Sequence, residues 1–309
     1  MSRIFIASRG NPEHLAQLFR EELPGFDVTT TQPDPAGPPV PYVVAGRPEK
    51  GVITAVPGVE LVLSLNAGIE HLLEEGMVPE GVKIVRMVDD GLSQGMTEWV
   101  IAQALAWHRN LFHYAEVQKT AAWKPLAEKL ARERKVCVLG AGALGAPVTA
   151  LFAQLGFETR VWSRSGQPIA GATSFAGPDQ LVDAVEGVDI LVNLLPLTAE
   201  TRDIVDARLF AAMAKGGFFI NGARGAHVVE ADLIAALDAG QLDGAALDVF
   251  RIEPLPADDQ LWHHPKIRIS PHVAAPTHAA IAVKEMALNL RRFMRGETLQ
   301  HAVNRQLGY

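Results

Sequence analysis

Three polar side chains in the C-terminal half have the types and spacing that carbonyl chemistry needs. Arg224 lies in Asn221-Gly222-Ala223-Arg224-Gly225, Glu253 in Asp248-Val249-Phe250-Arg251-Ile252-Glu253-Pro254, and His272 in Ser270-Pro271-His272-Val273. Each follows a short apolar run that reads as a β-strand. Arginine offers a permanently charged planar fork that matches an α-keto acid. Histidine titrates near neutrality, at about 6.5 when unperturbed, and an adjacent carboxylate favours its charged form. A proton donor, a carboxylate partner and a fixed cation beside a hydride source are what carbonyl reduction requires.

The cradle for a hydride carrier lies upstream. Val136-Cys137-Val138-Leu139 runs straight into Gly140-Ala141-Gly142-Ala143-Leu144-Gly145, with a helix expected over 143–155 and a second strand over 158–162. In this pattern the first glycine permits the tight turn, the second lets backbone amides approach a pyrophosphate, and the third lets the helix pack on the strand. The helix N-terminus then turns free N–H groups and its positive end toward the anion. A glycine turn also serves ordinary strand-to-helix corners; the strand, helix and second strand in order favour a dinucleotide site. NAD sites of this kind end their second strand on an acidic residue that accepts from the ribose 2′-hydroxyl. Here that end reads Val161-Trp162-Ser163-Arg164-Ser165, without the acid. Ser163 and Arg164 suit a 2′-phosphate instead, so NADP(H) is expected over NAD(H).

These residues need two α/β domains to position them. At 309 residues the chain exceeds one typical domain. Before the glycine motif, strands are expected over 3–8, 61–65 and 83–87, a helix over 12–23, and a surface loop over 32–41 with its five prolines. A helix over 97–111 leads onward. Beyond it, strands over 158–162, 189–193, 217–221, 244–249 and 267–270 join 136–139 to make six. A helix over 277–295 carries the chain back. The fold class is therefore α/β, two Rossmann-like/flavodoxin-like domains with parallel sheets and a hinged cleft that closes on substrate. Residues 1–98 plus 278–309 form the substrate domain, and 99–277 the dinucleotide-binding domain.

Composition narrows the partners. A net charge of −7, with 48% hydrophobic and 20% charged residues, describes a globular chain ill suited to nucleic-acid phosphates or an anionic membrane. The first residues already read as a strand, without the apolar core of a signal peptide, and no apolar run reaches membrane-spanning length, so a cytoplasmic protein is expected. Cys137, the one cysteine, excludes an intrachain disulfide and reads as a buried inert thiol. No metal site is expected: His263-His264 before Pro265 reads as a solvent-facing turn, and HExxH is absent.

Taken in order, GxGxxG, Asn-x-x-Arg-Gly, Asp-Val-Phe-x-x-Glu-Pro and Ser-Pro-His resemble the D-isomer-specific 2-hydroxyacid dehydrogenase family over nearly the whole chain. The resemblance implies that His272 is the acid/base, Glu253 its partner and Arg224 the group that holds the substrate carboxylate and polarises the keto oxygen. It also implies cofactor contacts from Gly140, Ala141, Gly142, Ala143, Leu144 and Gly145, from Ser163 and Arg164, from Leu195 and Pro196 in Asn193-Leu194-Leu195-Pro196, and from Asp248. Formate-oxidising members carry glutamine in place of the glutamate, so Glu253 favours a hydroxyacid/ketoacid couple. The segment Leu65-Asn66-Ala67-Gly68-Ile69 follows a strand and opens a helix, and the family places the substrate carboxylate there, at Asn66, Ala67 and Gly68. Family members commonly have glycine where Asn66 stands, and His71 one turn on reads as a structural or rim residue.

Within the family the likeness is to glyoxylate/hydroxypyruvate reductases, through Trp162-Ser163-Arg164-Ser165, Trp123-Lys124-Pro125-Leu126 and the closing Gly308-Tyr309. That subgroup gives its Trp-Lys-Pro-Leu tryptophan to the neighbouring subunit's site, implying a homodimer with Trp123 near substrate; packing between domains is the other role open to that residue. Met87 and Trp99 are further candidates for the pocket wall, and no appended regulatory domain is expected. The alternative from another class is an NAD(P)-sensing binding protein of the same fold without catalysis.

Overall fold

The computed structural model describes residues 2–308; Met1 and Tyr309, the latter half of the closing Gly308-Tyr309 pair, lie outside the described residues. The chain divides into two compact units, one running to Leu92 and resuming at Thr277, the other spanning Ser93–Pro276.

In the first unit, β1 (Arg3–Ser8) leads into α1 (Pro12–Glu22), whose start is fixed by the Asn11 side chain accepting from His14 N at 3.2 Å and by Pro12 at the first helical position. Then come β2 (Asp27–Thr29), β3 (Tyr42–Gly46), β4 (Leu61–Ser64), α2 (Glu70–Leu73) and β5 (Lys83–Val85). The five strands are all parallel, in the order β2-β1-β3-β4-β5. Val43, Ala45, Val62 and Ile84 belong to a core shared with Phe5 and Leu72. Sequence patterning passes over β2, too short to show a period, and β3, which follows directly on the proline-rich loop.

The chain then enters α3 (Asp90–His108), which begins well before residue 97 because the Asp89 carboxylate accepts from Leu92 N at 2.8 Å. The division between units falls inside this helix, between Leu92 and Ser93. Ser93 Oγ already donates to Ala143 O at 2.7 Å, and Met96 belongs to the second unit's core. Asn110, in left-handed backbone at φ 58°, ends the run, and a separate helix α4 (Leu111–Gln118) follows.

The second unit comprises β6 (Lys135–Leu139), α5 (Gly145–Gln154), β7 (Glu158–Ser163), β8 (Ala172–Ala176), α6 (Leu181–Val185), β9 (Ile190–Asn193), α7 (Ala207–Ala212), β10 (Gly217–Asn221), α8 (Glu230–Asp238), β11 (Leu242–Leu247) and β12 (Ile267–Ile269). Its sheet has seven strands, not six, in the parallel order β12-β11-β10-β9-β6-β7-β8. The additional strand, β8, is a half-exposed edge reading Ala-Thr-Ser-Phe-Ala, in which Phe175 packs against the core and no apolar run forms. Arg224, Glu253 and His272 therefore follow the fifth, sixth and seventh strands of this sheet. Alternate residues feed two separate cores: Cys137, Leu191 and Phe219 on one face, Val136, Val192 and Phe218 on the other. Burial pushes the Cys137 thiol up to about 12. After this unit α9 (Ala279–Met294) returns to the first, where Arg291 donates to Glu22 O at 2.8 Å and pairs with its carboxylate at 3.0 Å. Among the described residues, no helix is long and apolar enough to cross a membrane.

Candidate active site

In the second unit the chemistry-bearing residues all stand past the carboxyl ends of strands, where a doubly wound sheet binds ligands. The strand order reverses between β6 and β9, and there the glycine turn is built. Gly140 sits at φ +112° with its N–H donating to Trp162 O at 2.8 Å; any Cβ there would press on Leu194 O. A Cβ on Gly145 would run into the Gly140 carbonyl, whereas one on Gly142 would meet nothing within 4 Å. Two glycines are thus required by the protein's own packing, and the middle one fronts open space. The helix begins at Gly145, two residues later than the expected 143, because Gly142 to Leu144 are taken up in the turn itself. No side chain caps α5, while Ala146 N already donates to Gly142 O at 2.9 Å and Pro147 carries no N–H.

His272 and Glu253 are joined: Nδ1 of the imidazole lies 2.7 Å from Glu253 Oε2, while Oε1 accepts from Phe250 N at 2.9 Å. The second bond fixes the carboxylate, and the first leaves Nε2 as the ring nitrogen able to face a ligand. His272 itself stands in left-handed backbone at φ 55°, unusual for a side chain of this size. Its N–H donates to Asp248 O at 2.9 Å. The Asp248 carboxylate, expected among the cofactor contacts, is 1% exposed and taken up by this loop. Oδ1 accepts from Ser270 Oγ at 2.6 Å and Val273 N at 2.9 Å, and Oδ2 from Ala274 N at 2.9 Å. Asp248 thereby holds the residues on either side of the strained histidine.

Arg224 is placed by a pair of buried asparagines at the ends of β9 and β10. Asn193 Nδ2 donates to Asn221 Oδ1 at 3.0 Å, Asn221 Nδ2 donates to Arg224 O at 3.0 Å, and Ala223 N donates back to Asn221 Oδ1 at 3.2 Å. Asn193 Oδ1 also accepts from Leu195 N at 3.3 Å, so the Leu195–Pro196 segment and the Arg224 loop share one polar lock. Next to Arg224, a Cβ on Gly225 would collide with the Phe250 backbone, which brings this loop against the one that carries Glu253. Leu195 is buried while Pro196 is exposed. Ser163 Oγ accepts from Gly166 N at 3.1 Å, and Arg164 is exposed beyond it.

In the first unit, the Asn66–Gly68 loop is held by its backbone. The buried Ser64 hydroxyl accepts from Asn66 N at 3.0 Å and donates to Asn66 O at 3.1 Å, and Met87 N donates to the same carbonyl at 3.1 Å. The helix that follows is the single turn α2, so the expected support from a helix end reduces to the loop's own amides.

The chain as a whole is similar to known proteins. Residues 101–274 match the NAD binding domain of the D-isomer specific 2-hydroxyacid dehydrogenases. A Serratia proteamaculans protein named glyoxylate/hydroxypyruvate reductase A is 37% identical over 314 residues, covering 100% of both chains. The chain belongs to the D-isomer specific 2-hydroxyacid dehydrogenase family. Two solved members superpose along its length. One is the NADPH-dependent glyoxylate/hydroxypyruvate reductase from Sinorhizobium meliloti in complex with NADP and sulfate, with TM-score 0.94, 32% identity and 100% of each chain covered. The other is a D-isomer specific 2-hydroxyacid dehydrogenase from Xanthobacter autotrophicus Py2 in complex with NADPH and MES, with TM-score 0.93, 32% identity, and 100% and 99% covered.

For this NAD(P)-dependent dehydrogenase the glycine turn fits a dinucleotide, since Gly142 leaves uncovered the space that a pyrophosphate needs. Met87 is buried at 2% exposure, and Trp99 is half-buried and packs against the second unit's core. Trp123 is 97% exposed, on a stretch without regular structure after α4. His264 is not solvent-facing: only 12% of its side chain is exposed, 3.4 Å from Asp238. Asn193, Asn221 and Ser270 went unassigned in the sequence; an amide or hydroxyl ending three strands of one sheet is the signal that marks them.

Proposed function

We propose that this dehydrogenase reduces a small 2-ketoacid of the glyoxylate or hydroxypyruvate type to the D-2-hydroxyacid, using NADP(H) in preference to NAD(H). The observation that carries the reading is the His272–Glu253 pair at 2.7 Å, fixed by Phe250 N and by Asp248. When bound, the nicotinamide supplies hydride to the keto carbon. His272 holds the proton on Nε2 and delivers it to the keto oxygen, while the Glu253 carboxylate stabilises the imidazolium beforehand and keeps its orientation. Arg224 grips the substrate carboxylate and draws charge from the keto oxygen. The Ala67 and Gly68 amides, with Asn66 ahead of them, bind the carboxylate from the first unit.

Support for NADP(H) comes from the end of β7, where Ser163 and the exposed Arg164 stand in place of an acidic residue. The Sinorhizobium and Xanthobacter structures named above contain NADP and NADPH. A homodimer completes the proposal: α4 buries no side chain, and Leu111, Trp123, Leu126 and Leu130 are exposed around it, an apolar stretch suited to a second copy. Trp123 is proposed to reach the partner's site.

The test is a panel of glyoxylate, hydroxypyruvate and pyruvate against NADPH and NADH, followed at 340 nm, with the mass in solution measured alongside. Turnover of at least one ketoacid, a higher kcat/KM with NADPH and a two-subunit mass are expected. A flat panel would point to the non-catalytic binding protein; a preference for NADH would overturn the role given to Ser163 and Arg164.

A further inference from the structure

At the carboxyl edge of the first sheet, the residue directly after β3 is Arg47, and its backbone is left-handed at φ 51°. That conformation is unusual for any residue with a Cβ, and doubly so here, since Pro48 follows and a residue before proline is pushed toward extended backbone. Strained backbone of this kind clusters at ligand-binding and catalytic positions. The register shows what Arg47 stands beside. Ala45 pairs with Ser64 and Leu65 N donates to Ala45 O at 2.9 Å, so two residues further on Arg47 comes level with Asn66. Neighbouring strands run about 4.8 Å apart, so the chain that leaves β3 at Arg47 departs from the sheet beside the chain that leaves β4 for the substrate-carboxylate loop.

The charges around Arg47 are already sorted. Arg9, at the end of β1, pairs with Glu49 at 3.3 Å. Arg47 is exposed, and among the described residues its guanidinium makes no hydrogen bond, ion pair or ring contact. A cation in such a place, one strand from a loop that binds one carboxylate, suits a second carboxylate, which a guanidinium can take with two parallel hydrogen bonds.

We propose that Arg47 is a specificity-determining residue that binds the distal carboxylate of a dicarboxylic 2-ketoacid while the Asn66–Gly68 loop takes the carboxylate next to the keto group. This rests on the ketoacid-reductase reading given above. Short keto-diacids are then accepted alongside monocarboxylic substrates, and hydride and proton transfer are unchanged. Pyruvate and oxaloacetate make a matched pair, because they differ by the distal carboxylate alone.

The experiment compares the whole enzyme with Arg47→Asn, which tolerates left-handed backbone, and with Arg47→Lys, which keeps a charge. NADPH oxidation is followed with glyoxylate, pyruvate and oxaloacetate. In Arg47→Asn, kcat/KM for oxaloacetate is expected to fall about tenfold, through KM, the worth of one charge-assisted contact. The values for glyoxylate and pyruvate stay within about twofold, and Arg47→Lys recovers part of the loss. An equal change with all three substrates, no change with any, or a wild-type enzyme that turns over glyoxylate and not oxaloacetate would each overturn the proposal alone. Failure of the wild type to reduce any ketoacid would overturn it together with the reading beneath it.

Discussion

The two sheets are both parallel and both carry their polar residues at carboxyl ends, yet they hold those residues by different means. In the second unit, side chains hold side-chain-bearing loops: Asp248 gathers Ser270, Val273 and Ala274, and Asn193 and Asn221 bind each other and the Arg224 loop. In the first, one hydroxyl, Ser64, pins the backbone of Asn66, and the Arg9–Glu49 pair at the same edge is exposed. Proton transfer needs atoms fixed to fractions of an ångström, and a buried polar network supplies that rigidity. Recognition of a small anion by amides and an arginine tolerates more freedom. Damage to the second unit's edge should therefore appear mainly in kcat, and damage to the first mainly in KM.

The largest effect is expected from His272→Gln, which removes the proton donor and keeps a polar side chain of similar reach. kcat should fall by roughly 10²–10⁴-fold, the usual worth of a general acid, with NADPH affinity by fluorescence titration almost unchanged. Retention of most of the turnover would take His272 out of its proposed role. Next is Asp248→Ala. It leaves the Val273 and Ala274 N–H groups without their acceptor, each costing about 1–3 kcal/mol if it stays buried, and it frees the His272 loop. A lower Tm and a kcat reduced by about 100-fold should accompany a modest KM change; an unchanged kcat in a destabilised protein would break the contrast. Ser64→Ala is the matching probe of the first unit. Loss of its two bonds to Asn66, worth about 1 kcal/mol each, should raise the ketoacid KM several-fold and leave kcat near wild type. If Ser64→Ala lowered kcat as strongly as Asp248→Ala, the two edges would be doing the same job.

The smallest effect is on acid stability. Burial and the nearby Arg134 hold the His108 imidazole below its ordinary pKa. The unfolded chain therefore binds more protons there than the folded one, so this contribution is present above about pH 6.5 and fades as pH falls below it toward the depressed folded value. His108→Phe should flatten the decline of Tm between pH 7 and pH 5.5, as thermal melts across that range would show.

Legibility in the sequence follows the distance over which a feature is decided. The Gly140–Gly145 turn, the Arg224, Glu253 and His272 loops and the order of strands and helices are set within a few residues, so spacing alone exposes them. The Asp248 clamp reaches Ser270 and the loop beyond it, 22 to 26 residues away, and Asn193 reaches Asn221 across 28. Nothing local in either strand end announces such a partner. Edge strand β8 and three-residue β2 lack the apolar run that betrays a buried strand, and the start of α5 gives way to turn geometry despite the helix-forming Ala143 and Leu144. Trp123 is a different case: a tryptophan 97% exposed finds no contact within its own chain that a pattern could foretell.

The first unit is assembled from residues on both sides of the second: α9 lies against α1 through the Arg291–Glu22 contacts, and Arg305 donates to Pro79 O and Val82 O at 2.9 and 3.0 Å. A ribosome making this chain thus delivers every residue of the later unit before it has finished supplying the earlier one. Residues up to Leu92 must wait, with α1 uncovered, until the stretch from Thr277 emerges from the exit tunnel. Completion of the first unit therefore follows synthesis of the second, and the α1 face that meets α9 stays uncovered until then.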